Sequence, residues 1–182
     1  MSDNCHAERL ELITLNDAVV SFSRLFANTV RYHHWHQCLE VLYVEEGFGV
    51  VIVDNRQYTM RPGRLFFFPP FTLHKVMVDE QAQDNYRRTI IHVDQHAVLK
   101  LFRDFPHNQQ RLQRLCARGG AAVVMEAAAI HPHIAHLFSD YARMADHPHL
   151  AAAPDACLQF TLLPMLPQDT GHAAPTGRVP LS

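Results

Sequence analysis

The chain has 182 residues, and its 16 Lys and Arg against 18 Asp and Glu give a formal net charge of −2 with His neutral. This balance excludes a strongly basic nucleic-acid surface, and no apolar run approaches the roughly 18 residues that a membrane helix needs. A chain of this size buries about 70% of the surface of its unfolded form, which is enough for one medium domain.

Cysteine usage and the N-terminus indicate a reducing compartment. The cysteines lie far apart and form no Cys-x-x-Cys pair, which argues against a zinc knuckle or a disulfide framework. Asp3, Glu8 and Glu11 stand where a signal peptide would need basic residues followed by an apolar stretch. We therefore expect a cytoplasmic protein with no membrane partner.

The first half of the chain predicts strands. Residues 1–15 are expected to form an N-terminal arm, in which Leu10–Leu15 is a strand that an Asn16-Asp17 turn joins to a second strand, Ala18–Ser23. Six further strands are predicted: Leu39–Val44, Phe48–Val53, Gln57–Met60, Leu65–Phe68, His74–Val78 and Arg87–Val93.

Turn residues separate these strands at short intervals. Asp54-Asn55 suits a two-residue hairpin because Asp and Asn tolerate positive φ, and Arg61-Pro62-Gly63 is a turn by composition. Many short strands with turns between them are typical of an antiparallel sandwich or barrel, which we place at residues 16–94.

The second half changes to a helical period. Short helices are predicted near residues 97–105 and 112–116, a returning strand at 121–125, and longer amphipathic helices at 132–145 and 154–166. The apolar surface of residues 95–166 exceeds what one domain needs, which favours an association surface. Residues 167–182 are rich in Pro, Gly and small residues and read as an interdomain linker, so the chain is expected to be the N-terminal piece of a longer protein.

The candidate functional residues begin in the stretch from His34 to Glu40. Side chains alternate between the faces of a strand, so His34, His36 and Glu40, which have one parity, are predicted to project into the same space. His74 opens a later strand and supplies a fourth group. These four residues are the candidate effector site, either as hydrogen-bond partners for hydroxyls or as metal ligands.

The metal interpretation and a structural one both fit this pattern. Three imidazoles and one carboxylate suit a divalent ion such as Zn, Ni, Fe or Mn, although no cofactor is required for binding a ligand. In the structural alternative, the histidines cap the mouth of the barrel and Glu40 is hydrogen-bonded to neighbouring backbone. Cys38 has inward parity but is expected to be inert packing, and His131, His133 and His136 are expected to be an exposed cap.

The spacings resemble those of a known family. His34-x-His36-x3-Glu40-x6-Gly47, followed by Gly63-x5-Pro69 and His74, is similar to the two cupin motifs, which lie on facing strands of a small barrel. Phe71 stands where that family usually has a glycine, and Val78 stands in place of an asparagine, so the second motif is weaker than the first.

The order of elements over residues 15–166 narrows this resemblance to the N-terminal half of AraC-type transcription factors. The resemblance implies a mainly β fold with C-terminal helices: a cupin-like antiparallel β-barrel of jelly-roll type, then an α-helical dimerisation segment. It further implies a small-molecule effector, often a sugar, in the barrel, a homodimer through the helices, and DNA binding only by a C-terminal helix-turn-helix domain absent from this sequence.

The resemblance favours a regulator without catalytic activity. The competing hypothesis is a metal-dependent cupin enzyme, such as a dioxygenase or a sugar-phosphate isomerase. The Pro- and Gly-rich tail of residues 167–182 weakens that alternative, because a single-domain enzyme has little reason to finish in a linker.

Overall fold

A computed structural model describes residues 8–15, 18–27, 32–117, 122–144, 147, 162–165 and 174–178. Its strands are β1 (Arg9–Leu10), β2 (Val20–Phe26), β3 (His34–Trp35), β4 (Leu39–Glu46), β5 (Gly49–Val53), β6 (Arg56–Met60), β7 (Arg64–Phe68), β8 (His74–Val78), β9 (Arg87–Val93), β10 (Val123–Glu126) and β11 (Gly177–Arg178). Its α-helices are α1 (Gln95–Leu101), α2 (Pro106–Leu115) and α3 (His131–Met144).

The strands form two sheets that enclose a core. One sheet has the order β1-β3-β8-β5-β6-β11 and the other β10-β7-β4-β9-β2. All pairings are antiparallel except that of β1 with β3. Alternate side chains of both sheets meet in the interior, among them Leu42, Val44, Val51 and Phe66. The predicted fold class, a cupin-like jelly-roll barrel with C-terminal helices, is confirmed.

The outer face of the five-stranded sheet is covered by the helices. Side chains of the opposite parity in β4, such as Val41 and Tyr43, pack in a second core with residues of α1, α2 and α3. The Phe138 ring of α3 lies 5.6 Å from the Tyr43 ring in an edge-to-face contact. Because β4 is buried on both faces, it connects the barrel interior to the helices.

The predicted turns at Asp54-Asn55 and Gly63 are present, whereas the predicted Asn16-Asp17 turn lies outside the described residues. Asp54 and Asn55 have φ of 45° and 62°, as the two-residue hairpin between β5 and β6 requires. Gly63 has φ of 82°, and a Cβ there would lie 2.9 Å from the Cα of Ala128, so only glycine fits.

The predicted strands from residue 39 to residue 93 are all observed within two residues of their bounds, but the arm differs. Within the described part of the arm, the strands are Arg9–Leu10 and Val20–Phe26, and the backbone of Ile13 bonds to the Gln37 side chain instead of to a strand.

The helices predicted at residues 97–105, 112–116 and 132–145 correspond to described helices, and the returning strand is β10. The helix predicted at 154–166 falls outside the described residues except for 162–165. Of the predicted linker, only residues 174–178 are described, and Gly177–Arg178 pairs with β6. None of the described helices has the length and apolar character needed to cross a membrane.

Candidate functional site

The four residues predicted from the sequence come together inside the barrel. One potential ligand atom from each of His34, His36, Glu40 and His74 lies within 4.8 Å of the others, and all four residues are buried. His34 in β3 is directly opposite His74 in β8, while Glu40 reaches across from β4 in the other sheet. The alternation of side chains therefore predicted the common face correctly.

The backbone between β3 and β4 is not a regular strand, yet it keeps this parity. Residues 36–38 leave the ladder, and the backbone carbonyl of His36 accepts a hydrogen bond of 2.8 Å from the amide of Phe71. Phe71 has φ of 63°, a left-handed conformation that glycine adopts more easily. The turn thus takes the conformation that favours glycine, although the side chain is different.

The imidazoles of His34, His36 and His74 share one orientation, with Nδ1 facing the backbone. Nδ1 lies near a backbone carbonyl oxygen in each: 3.0 Å from that of Cys38 for His36, 2.9 Å from that of Thr72 for His74, and 3.4 Å from that of Tyr32 for His34. A proton on Nδ1 that donates to these carbonyls leaves Nε2 directed at the cluster. Metal-binding histidines are commonly held in this way.

Glu40 is the centre of the cluster. Its Oε2 accepts hydrogen bonds from Nε2 of His36 at 2.7 Å and from Nε2 of His92 at 3.1 Å, and Nε2 of His74 lies 3.8 Å away. Burial opposes its ionisation, but the hydrogen bonds from His36 and His92 hold the pKa of Glu40 well below its usual range. The carboxylate is therefore charged inside the barrel.

The histidines around Glu40 differ in charge. Burial by itself lowers the pKa of His36, but its contacts with Cys38 and Glu40 outweigh burial and raise the pKa to about 10. Burial lowers the pKa of His74 to about 4, against the attraction of Glu40. His36 and Glu40 form a buried ion pair, whereas His74 is a neutral base.

Sequence reasoning missed three residues of this site. His92 in β9 is paired with Glu40 in the sheet register, and Arg88 has the same parity in that strand. Tyr86 precedes β9 and is fully buried. The parity of His92 and Arg88 was a usable signal, since both lie in a strand that was predicted, but only the register of β9 against β4 brings them to the site.

These residues line a cavity of about 130 Å³ between the sheets. Its wall includes acidic, basic and apolar groups: Glu11, Leu25, His34, Glu40, Leu42, Val76, Tyr86, Arg88, Ile90 and His92. Glu11, which follows β1, also accepts a hydrogen bond from the Tyr32 hydroxyl, so the N-terminal arm contributes to the wall.

The donor set fits a divalent metal ion. His74 Nε2 is buried and has no hydrogen-bond partner, and an ion at the cluster would satisfy it. An ion held by His34, His36, Glu40 and His74 would replace the proton that His36 shares with Glu40, since ligands must be deprotonated. Such an ion would act as a Lewis acid toward an oxygen ligand.

The other candidate residues do not form sites among the described residues. Cys38 is buried and its Sγ lies 3.8 Å from His36 Nδ1, so it contacts the cluster through that histidine. His131 bonds to the Tyr43 hydroxyl, while His136 pairs with Asp140 at 3.2 Å, so the α3 histidines do not converge. The Phe68 ring stacks 4.1 Å from the His74 ring and forms the apolar backing of the site.

Comparison with known proteins identifies the family. Residues 19–159 match the profile of the AraC-like ligand binding domain. The chain belongs to this family. Since the match includes β4, β8 and β9, the cluster around Glu40 lies inside the AraC-like ligand binding domain. Among curated proteins, none matches the chain.

Solved structures show partial likenesses to this AraC-like domain. A putative mannose-6-phosphate isomerase from Ralstonia eutropha is 18% identical over 42% of this chain and 75% of its own, with a TM-score of 0.36. A cupin protein from Bacteroides fragilis is 20% identical over 41% of this chain and 63% of its own, with a TM-score of 0.32. The Bacillus subtilis oxalate decarboxylase, described with Mn(II) centres, is 22% identical over 45% of this chain and 24% of its own, with a TM-score of 0.35.

Proposed function

We propose that the chain is the effector-sensing and dimerisation domain of a cytoplasmic AraC-type transcription factor, without catalytic activity. It binds a small polar metabolite at His34, His36, Glu40 and His74, and thereby regulates DNA binding by a C-terminal helix-turn-helix domain. The observation that carries this proposal is the cavity between the sheets, whose wall includes the buried His34 and Glu40 of this set. Cavities with a few convergent polar groups are typical of small-molecule sites.

The position of the cavity supports a regulatory role. Glu40 and Leu42 of β4 line the cavity, while Tyr43 of the same strand points outward and bonds to His131 at the start of α3. A ligand that binds one arrangement of β4 and α3 better than another shifts the equilibrium between them by its difference in affinity. The same helices would form the homodimer, so ligand binding is coupled to the association surface.

The test is a thermal-shift and calorimetry screen of the purified chain against small polar metabolites, sugars included. We expect one class to raise the melting temperature and to lose its effect in His34→Ala and His74→Ala. Sedimentation should show that the chain is a dimer. This dimer should not bind DNA by itself. A monomer at high concentration would contradict the dimer, and a screen with no binder would contradict the sensing role.

The cluster also favours a second candidate, a metal-dependent cupin enzyme such as a dioxygenase or a sugar-phosphate isomerase. The observation behind it is the unpartnered His74 Nε2 beside the buried Glu40 carboxylate. Metal-dependent turnover of a sugar phosphate or of an oxidisable substrate, lost in His34→Ala and His74→Ala, would favour the enzyme over the regulator.

A further inference from the structure

The cavity between the sheets selects one ligand class. We infer that the ligand is a small organic carboxylate, about the size of lactate. Its carboxylate accepts a hydrogen bond from the Tyr86 hydroxyl beside the Arg88 guanidinium, and its other polar group faces His34 and Glu40. This inference rests on the proposed function and narrows its ligand from any small polar metabolite to a small anion.

The size of the cavity limits the size of the ligand. The cavity measures about 130 Å³, and an engineered protein cavity of about 150 Å³ holds one benzene molecule. A short-chain hydroxy or oxo acid has as many non-hydrogen atoms as benzene, whereas a hexose has twice as many. The cavity volume therefore matches a short-chain acid better than a hexose, although the resemblance to AraC-type regulators suggested a sugar.

The Tyr86 hydroxyl is a buried donor beside the cavity. Tyr86 is 0% exposed, and its hydroxyl oxygen has no hydrogen-bond partner. Leaving a buried hydroxyl unsatisfied costs about 1–3 kcal/mol, so a residue of this kind needs an explanation. Burial raises the pKa of Tyr86, which keeps the hydroxyl protonated and available as a donor. Because Tyr86 lines the cavity, an acceptor on a ligand that reaches the hydroxyl would satisfy it.

Arg88 places positive charge at the cavity wall. Arg88 is 8% exposed and lines the cavity, and its guanidinium carbon lies 4.7 Å from the centre of the Tyr86 ring. Guanidinium groups bind carboxylates more strongly than neutral oxygens. Arg88 donates from Nη1 to the Ala27 carbonyl at 2.7 Å, which holds the guanidinium at the cavity wall. Glu40 in the same wall accepts hydrogen bonds from His36 and His92.

A divalent ion at His34, His36, Glu40 and His74 would add positive charge to the same space. An anionic ligand is therefore expected to bind more tightly to the metal-loaded chain than to the metal-free chain.

The test measures calorimetric binding of acetate, lactate and pyruvate to the chain loaded with zinc, each beside its uncharged amide: acetamide, lactamide and pyruvamide. We expect at least one acid to bind at least tenfold more tightly than its amide. Chelation of the zinc should weaken the binding of that acid. Tyr86→Phe should weaken it about tenfold, because a hydrogen bond to a charged group is lost. Zinc content should not change.

Tyr58→Phe is the matched control, because Tyr58 is also buried but does not line the cavity. It should leave acid binding unchanged. Equal affinity for every acid and its amide, or an acid affinity that Tyr86→Phe does not alter, would overturn the inference. If sugars bind and no acid does, the inference fails while the proposed function stands; if neither class binds, both fail.

Discussion

The backbone amide of Phe71 donates to the carbonyl of His36 at 2.8 Å, and this bond joins the turn before β8 to the segment that carries the metal-binding candidates. Phe71 makes it from a left-handed conformation with φ of 63°. For a residue with a Cβ, that conformation costs roughly 1–2 kcal/mol. Local strain is thus stored beside the cluster.

We predict that Phe71→Gly is more stable than Phe71→Ala by about 1 kcal/mol, because both variants lose the aromatic ring and only glycine relieves the strain. Urea denaturation of the two variants measures the difference. Equal stabilities would mean that the backbone at residue 71 is not strained.

A second prediction concerns the ion pair of Arg24 and Glu45 between β2 and β4. Arg24 donates from Nε and Nη2 to the Glu45 carboxylate, with a shortest distance of 2.7 Å, and from Nη1 to Ser139 of α3. The Glu45 side chain is 6% exposed. Arg24→Met should cost about 3 kcal/mol, because it leaves a buried carboxylate without its cation.

The neighbouring pair of Arg87 and Glu46 is the control for this prediction. Its atoms are 3.4 Å apart, and the side chains are 48% and 52% exposed. Exposed pairs contribute about 0–1 kcal/mol, so Arg87→Met should cost about 1 kcal/mol or less. Denaturation with guanidinium chloride compares the two variants, and similar losses would show that burial of Glu45 does not decide its contribution.

Much of the barrel could be predicted because its signals are local. Alternation in β4 separates Leu42 from Val41, and the Asp54-Asn55 pair specifies its own hairpin. The same alternation placed His34, His36 and Glu40 on one face. These features depend on neighbours in the sequence, so composition and spacing were enough.

The rest of the site depends on long-range pairing. His92 contacts Glu40 only because β9 lies beside β4 in one register, and a shift by one residue would turn His92 to the other face. Tyr86 is buried by the connection before β9, where its backbone carbonyl accepts from Ala27. The parity of His92 indicates which face it occupies but not the register of β9, and Tyr86 precedes that strand, which is why both residues were missed.

A third prediction concerns pH and Glu126 in β10. Burial opposes its ionisation, but the hydrogen bonds from Arg64 and Arg61 together outweigh burial and lower the pKa of Glu126. A carboxyl whose pKa is lower in the folded chain stabilises the fold above its ordinary pKa, and this contribution disappears as the pH falls through the folded pKa. Glu126→Gln should therefore be less stable than the wild type near neutral pH.

The difference should be about 1 kcal/mol or less, because Glu126 is partly exposed and solvent screens the pair. This difference in stability should shrink below about pH 4, near the ordinary pKa of glutamate. Urea denaturation of wild type and Glu126→Gln at neutral and acid pH measures it. A difference that grows on acidification would contradict the assigned sign.

The last prediction tests the donor set around Glu40. Chain purified without a histidine tag should bind zinc, and an ion at about a hundred times its Kd should stabilise the fold by about 2.7 kcal/mol. His74→Ala should lose most of this gain, because it removes one of the four potential ligands. Melting curves with zinc and with a chelator measure the effect.

The control variant for the zinc experiment is His133→Ala, since His133 is exposed on α3 and lies outside the cluster. It should keep the full stabilisation by zinc, which separates loss of a ligand from loss of any histidine. A melting temperature that chelation leaves unchanged, with substoichiometric zinc by elemental analysis, would make the buried imidazoles hydrogen-bond partners only. In that case Glu40 would be balanced by His36 and His92 alone, and the ligand would bind without an ion.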